Sequence, residues 1–248
     1  MSHQEYRRIV PDADTAILFI HGILGTPRHF DFLLPYVPEG WSAVSLLLDG
    51  HGAGVQDFSR TSMARWQAQV RQEVDTLLTQ HKRLVIAAHS MGTLFAIQTA
   101  IAHPDRVTAL FLLAVPIRIR PRMKALTPAV RIGLSLGADS PLPAVASARN
   151  ACSITPDRRV WRYAGWAPRY AELFRTIREV ADALPSLAVP TLALQSDGDE
   201  LVSPTALRVL GRCPAVSLHR LPHSTHYAYD PVDQTRAVVL FREMLENL

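Results

Sequence analysis

One stretch constrains the fold more than any other: Arg83 to Asp105, RLVIAAHSMGTLFAIQTAIAHPD, where a short apolar run, a tight turn and a helical pattern follow without a spacer. Leu84 to Ala88 form the continuous apolar, β-prone run that a strand buried on both faces needs. A helix follows at once, with Leu94, Phe95, Ile97, Ala100 and Ile101 at helical spacing, and it stops before Pro104. Ser90 stands at the tip of the turn between them. A side chain there is exposed at the edge of a sheet, beside helix-start N–H groups that have no helical acceptor and can face an oxyanion. So sharp a turn brings the residues two before and two after its apex together, and here those are the small Ala88 and Gly92. The competing reading is that Ser90 merely caps a helix.

The remaining strands set that turn in an α/β frame. Thr15 to Ile20, Ser42 to Leu48, Val107 to Val115, Thr191 to Gln195 and Ser217 to Leu221 read as strands. Helical patterns run over 28–37, 62–81 and 232–247, the second with Trp66, Val70, Val74, Leu77 and Leu78 on one face. Alternating strands and helices imply a mainly parallel sheet whose active groups gather at the strands' carboxyl ends. The alternation breaks from Pro116 to Pro185, where short helical pieces are separated by prolines, including Pro156 and Pro168. At 248 residues the chain is read as one domain, 1–115 with 186–248, interrupted by a helical insertion at 116–185.

Charge is concentrated in that insertion. It holds twelve Arg and Lys against five acids, a net +7 in a chain of +4, so the rest carries −3. Trp161, Tyr163, Trp166, Tyr170 and Phe174 lie among these cations. No nucleic-acid-binding motif accompanies them, so no nucleic-acid partner is expected; the readings that remain are a solvated helical surface, an acidic ligand and weak contact with an anionic lipid interface. Cys152 and Cys213 lie outside any C-x-x-C spacing and read as buried thiols, with neither a disulfide framework nor a zinc site. The first fourteen residues have no apolar core of the signal-peptide kind and no stretch reaches membrane-span length, so a cytoplasmic protein, monomer or homodimer, is expected.

A serine hydroxyl needs an imidazole to take its proton and a carboxylate to orient that imidazole. The loop after Thr191–Gln195 offers Asp197 and Asp199, and the loop after the last strand offers His223 and His226. A parallel sheet brings both loops to the edge that carries Ser90. After the first strand, His21-Gly22-Ile23-Leu24-Gly25 forms a loop whose backbone approaches something closely; with Ser90 as nucleophile, Ile23 and Met91 offer the two N–H groups of an oxyanion hole, and His21 pins the loop.

Taken together, H-G-I-L-G at 21–25, G-H-G at 50–52, A-H-S-M-G at 88–92, D-E-L-V-S-P at 199–204 and S-T-H at 224–226 resemble the α/β-hydrolase family, of the carboxylesterase and monoacylglycerol lipase type, over essentially the whole chain. The departures are Ala88 for the usual glycine and Thr93 where a second glycine is common. The resemblance implies an α/β-hydrolase fold with the insertion as a helical cap between the family's sixth and seventh strands. It selects Asp199 over Asp197 by its D-x-x-V context and His226 over His223 by the small polar pair before it. It implies hydrolysis of a small apolar ester, of short to medium acyl length or monoacylglycerol-like, through an acyl-enzyme, with no metal or organic cofactor. Cap aromatics with Leu134 or Leu142 would then line an apolar channel. A thioesterase, amidase or carbon–carbon hydrolase uses the same groups, and a catalytically silent binding scaffold shares the fold.

Overall fold

The computed structural model describes residues 3–119 and 151–248. Seven strands form one sheet: β1 (Tyr6–Arg8), β2 (Thr15–Ile20), β3 (Ser42–Leu46), β4 (Arg83–His89), β5 (Val107–Leu113), β6 (Thr191–Ser196) and β7 (Val216–Leu221). Their spatial order is β1-β3-β2-β4-β5-β6-β7. Every neighbouring pair is parallel except β1 with β3. Ile20 pairs with Ala88, His89 with Leu113, and Ser196 with Leu221, so the carboxyl ends line up along one edge.

Strand periodicity sorts the core into two layers. Leu18, Ile20, Leu84, Ile86, Leu110 and Leu112 face one side, where they meet helices α2 (Met63–Gln80), α3 (Met91–Ala102) and α4 (Trp166–Ala183). Their neighbours Ile17, Phe19, Val85, Ala87, Phe111 and Leu113 face the other, against Phe30, Leu33 and the Ala237, Phe241 and Leu245 stripe of the last helix, α6 (Pro231–Glu246). Two-sided burial explains why the middles of the central strands, AILF, LVIAA and ALFLL, are wholly apolar. Among the described residues there are also two short α-helices, α1 (Val55–Ser59) and α5 (Thr205–Leu210).

Three expectations change. The pattern over 28–37 is not a helix but two 3₁₀ turns, Pro27–Phe30 and Leu34–Tyr36, because Pro35 can open a turn and cannot continue a helix. Pro168 does not divide two helices; it sits in the first turn of α4, where its missing N–H has no acceptor to lose. Cys213 is buried as expected, but Cys152 is only half-buried. In the numbering of this sheet the 116–185 segment lies between β5 and β6, and the Leu134 and Leu142 expectations lie outside the described residues. Both described ends of the segment rest on the sheet's carboxyl edge: Ser203 N–H donates to Arg118 O at 2.8 Å, and Ser153 N–H to Leu24 O at 2.8 Å. Trp166 packs on Phe58 with centroids 4.9 Å apart, while Trp161 is 70% exposed.

Candidate active site

Ser90 links β4 to α3 with φ +49° and ψ −122°, a left-handed conformation that strains a side-chain-bearing residue by about 1–3 kcal/mol. The surroundings impose it. Ser90 N–H donates to Leu113 O at 2.9 Å, and Thr93 returns two bonds to Ser90 O, from its N–H at 2.9 Å and its hydroxyl at 2.6 Å. Thr93, a departure from the family pattern, therefore ties the turn. Gly92 is required for a reason different from the expected closeness to Ala88: a Cβ there would run into the Ile20 and His21 carbonyls at the end of β2. Gly22 is equally constrained, since its Cβ would lie 2.8 Å from that of Ser90.

Three loops converge on this turn. His226, after β7, places Nε2 3.1 Å from Ser90 Oγ and Nδ1 2.9 Å from Asp199 Oδ2. A carboxylate only accepts, so Nδ1 carries the proton and Nε2 is left to accept from the serine. Asp199 follows β6 and is almost fully buried, as is His226. Its Oδ1 accepts the Leu201 and Val202 amides, each at 2.8 Å, and its Oδ2 also accepts Gln195 Nε2 at 2.9 Å. Burial pushes the Asp199 carboxyl up, but the facing His226 ring and the two amides outweigh it and hold the group below the usual carboxylate range. The alternatives lie elsewhere: Asp197 pairs outward with Arg220 at 2.7 Å, and His223 is exposed, its N–H donating to Asp233 Oδ2.

Met91 directly follows Ser90, and Ile23 directly follows Gly22, which lies against Ser90. Met91 opens α3, and Ile23 lies in the β2 loop; among the described residues neither N–H has an acceptor. Two buried histidines hold that loop. His21 Nδ1 donates to Gly22 O at 2.8 Å while its Nε2 accepts Leu48 N–H at 3.1 Å. His51 Nε2 accepts the N–H of Leu24 at 3.1 Å, and its Nδ1 donates to Leu48 O and Asp49 O. Burial keeps both rings neutral, pushing His21 well down and His51 down to about 4. His21 thus pins the loop as expected. His51, Gln195, His89 and Glu200 also touch the site, and sequence reasoning assigned them no individual role there, although His51, His89 and Glu200 stand in the G-H-G, A-H-S-M-G and D-E-L-V-S-P motifs and a polar Gln195 ends the apolar run TLAL. Among the described residues no group of three His, Cys, Asp or Glu is placed to hold a metal ion.

A profile of the Alpha/beta hydrolase family matches residues 17–239, which takes in the sheet apart from β1 and the first two residues of β2, and every residue of this site. The chain belongs to that family. That family is one of hydrolases, and the relatives the chain matches are named as an esterase and a lipase. A thermostable monoacylglycerol lipase of Bacillus sp. (strain H-257) is 26% identical over 190 residues, covering 76% of this chain and 72% of that one. A pimeloyl-[acyl-carrier protein] methyl ester esterase of Neisseria meningitidis serogroup A is 35% identical over 117 residues, 46% of this chain; the chain spans only 34% of that relative's length. Among solved structures, one from LipS and LipT, two metagenome-derived lipolytic enzymes, superposes with a TM-score of 0.70 at 20% identity, covering 98% of both chains. A thioesterase domain from the curacin biosynthetic pathway gives 0.60 at 19% identity, covering 98% of this chain and 99% of that one. Among the described residues no helix is long and apolar enough to cross a membrane.

Proposed function

We propose that the protein hydrolyses carboxylic esters through a Ser90–His226–Asp199 triad. The observation that carries this reading is the unbroken chain of contacts from Ser90 Oγ to His226 Nε2 at 3.1 Å and from His226 Nδ1 to Asp199 Oδ2 at 2.9 Å. Ser90 Oγ attacks the ester carbonyl carbon while its proton passes to His226 Nε2. The carbonyl oxygen becomes an oxyanion facing the Ile23 and Met91 amides. The tetrahedral adduct collapses, the C–O bond to the alcohol breaks, and the imidazolium returns its proton to the leaving oxygen. Water, giving a proton to His226, then attacks the acyl carbon; the C–O bond to Ser90 Oγ breaks, His226 returns the proton to Oγ, and the acid leaves. Asp199, ionised and held by four donors, keeps the imidazole in the required tautomer and faces its positive charge.

The substrate is an apolar ester, of short to medium acyl length or monoacylglycerol-like, and the 116–185 segment acts as the cap that shapes its pocket. What supports this is the anchoring of both described ends of that segment at the site's edge, together with relatives named as a monoacylglycerol lipase and a methyl ester esterase. The test is labelling by a fluorophosphonate probe beside a chain-length series of chromogenic esters, with a monoacylglycerol and a matched thioester included. Labelling should map to Ser90, and Ser90→Ala should lose on the order of 10⁴-fold or more in kcat. Full ester turnover in Ser90→Ala sinks the proposal.

A further inference from the structure

We infer that His89 and Glu200 are positioning residues, which fix the backbone of His226 at its C=O and at its N–H. The inference rests on the reading of His226 as the general base. His226 lies in the loop after β7, outside any helix or strand, so no ladder holds its N–H or its C=O. Both groups are nevertheless bonded. The N–H donates to Glu200 Oε2 at 3.0 Å, and the C=O accepts from His89 Nε2 at 3.1 Å.

The source of the two partners gives the arrangement its meaning. His89 is the last residue of β4 and immediately precedes Ser90; Glu200 immediately follows Asp199. The loops that present the nucleophile and the acid thus each grip the main chain of the base, while their catalytic side chains engage its ring. Ring and backbone are referenced to the same two elements. A displacement of the β7 loop must therefore break backbone and side-chain bonds together, and the Ser90–His226 distance is protected against loop motion. Misplacement by about 1 Å at such a site can lower a rate 100-fold.

The residue types suit the task. A carboxylate accepting an amide makes a charge-assisted bond, stronger than a neutral one. His89 supplies a donor without a charge: its ring is buried, lies 3.8 Å from the His29 ring at 31°, and stands 5.0 Å from the His226 ring. Burial and the neighbouring imidazoles push His89 well below its ordinary value, so no second cation faces the imidazolium formed on His226 during turnover.

The experiment compares Glu200→Leu, Glu200→Gln and His89→Phe with Ser90→Ala and His226→Ala in steady-state ester hydrolysis and in the rate of fluorophosphonate labelling. Glu200→Leu and His89→Phe should each lower kcat about 10-fold or more with KM changed less than about twofold, and labelling should slow in proportion. Glu200→Gln keeps an acceptor and loses the charge, so it should recover kcat to within about threefold of the parent. Failure of Gln to rescue assigns Glu200 an electrostatic role and overturns the positioning inference. So does retention of parental kcat by Glu200→Leu. Should His89→Phe fail to fold, the Glu200 pair decides alone, because Glu200 is only half-buried. Turnover surviving in Ser90→Ala or His226→Ala defeats the triad reading instead, a result distinct from a failed clamp.

Discussion

The choice between Asp197 and Asp199 shows how much two residues of one loop can differ. Asp199 is enclosed by four donors, from His226, Gln195, Leu201 and Val202, whereas Asp197 faces solvent and pairs with Arg220. Replacing Asp199 by Asn keeps the shape but sets an NH₂ group among donors, and the imidazole loses the acceptor that fixes its tautomer. Asp199→Asn should therefore lower kcat by about 10³- to 10⁴-fold with little change in KM. Asp197→Asn breaks only an exposed pair and should leave kcat within about twofold. Steady-state kinetics on one ester checks both, and the reverse ordering would move the acid to Asp197.

At the scale of elements, the loops after β2 and β3 lock one another through two histidines of the same tautomer: His21 accepts from Leu48, and His51 accepts from Leu24. Leu24 has φ +59°, and its carbonyl is held in turn by Ser153 from the 116–185 segment, so the Ile23 amide hangs on a backbone fixed at both sides. His51→Phe retains ring packing against Phe58 and Trp66, both 5.4 Å away, but removes the acceptor for Leu24 N–H. It should lower kcat about 10-fold, less than outright loss of an oxyanion donor, and cost about 1–2 kcal/mol in urea unfolding. Unchanged kcat would detach this lock from catalysis. These elements also mark where the sequence is readable. The buried parallel strands announce themselves as apolar runs, and β2 matches its expected limits. Ser90, Asp199 and His226 meet because strand order alone brings their loops to one edge. By contrast β1 is a three-residue polar edge strand, YRR, whose pairing with β3 leaves no periodic trace. The parts played by His89, Gln195 and Glu200 depend on contacts between loops 137 and 26 residues apart or on the path of a single turn, which no local pattern encodes.

For the whole molecule, the same histidines make stability depend on pH. His21, His51 and His89 are buried, His29 is half-buried, and all four are neutral; desolvation pushes His29 down to about 3 and His51 to about 4, and holds His21 and His89 well below their ordinary value. In the unfolded chain each takes up a proton near pH 6.5. Between about pH 6.5 and pH 4 the unfolded state therefore binds more protons than the folded one, so stability rises with pH in that window and is lost as pH falls through it. Each such histidine contributes a slope of about 1.4 kcal/mol per pH unit, and four acting together give about 5 near pH 5. A domain stable by about 5–15 kcal/mol at neutral pH should then unfold in mild acid. Asp199 does not drive this loss, because its depressed carboxyl protonates only at lower pH. Urea unfolding midpoints between pH 7.5 and 5, with proton uptake from calorimetry in buffers of different ionisation enthalpy, should show about four protons taken up near pH 5. His29→Leu should remove about one of them. An uptake near zero across this range would mean that these four rings are already protonated in the native state, and would contradict the neutral tautomers on which the His21–His51 lock depends.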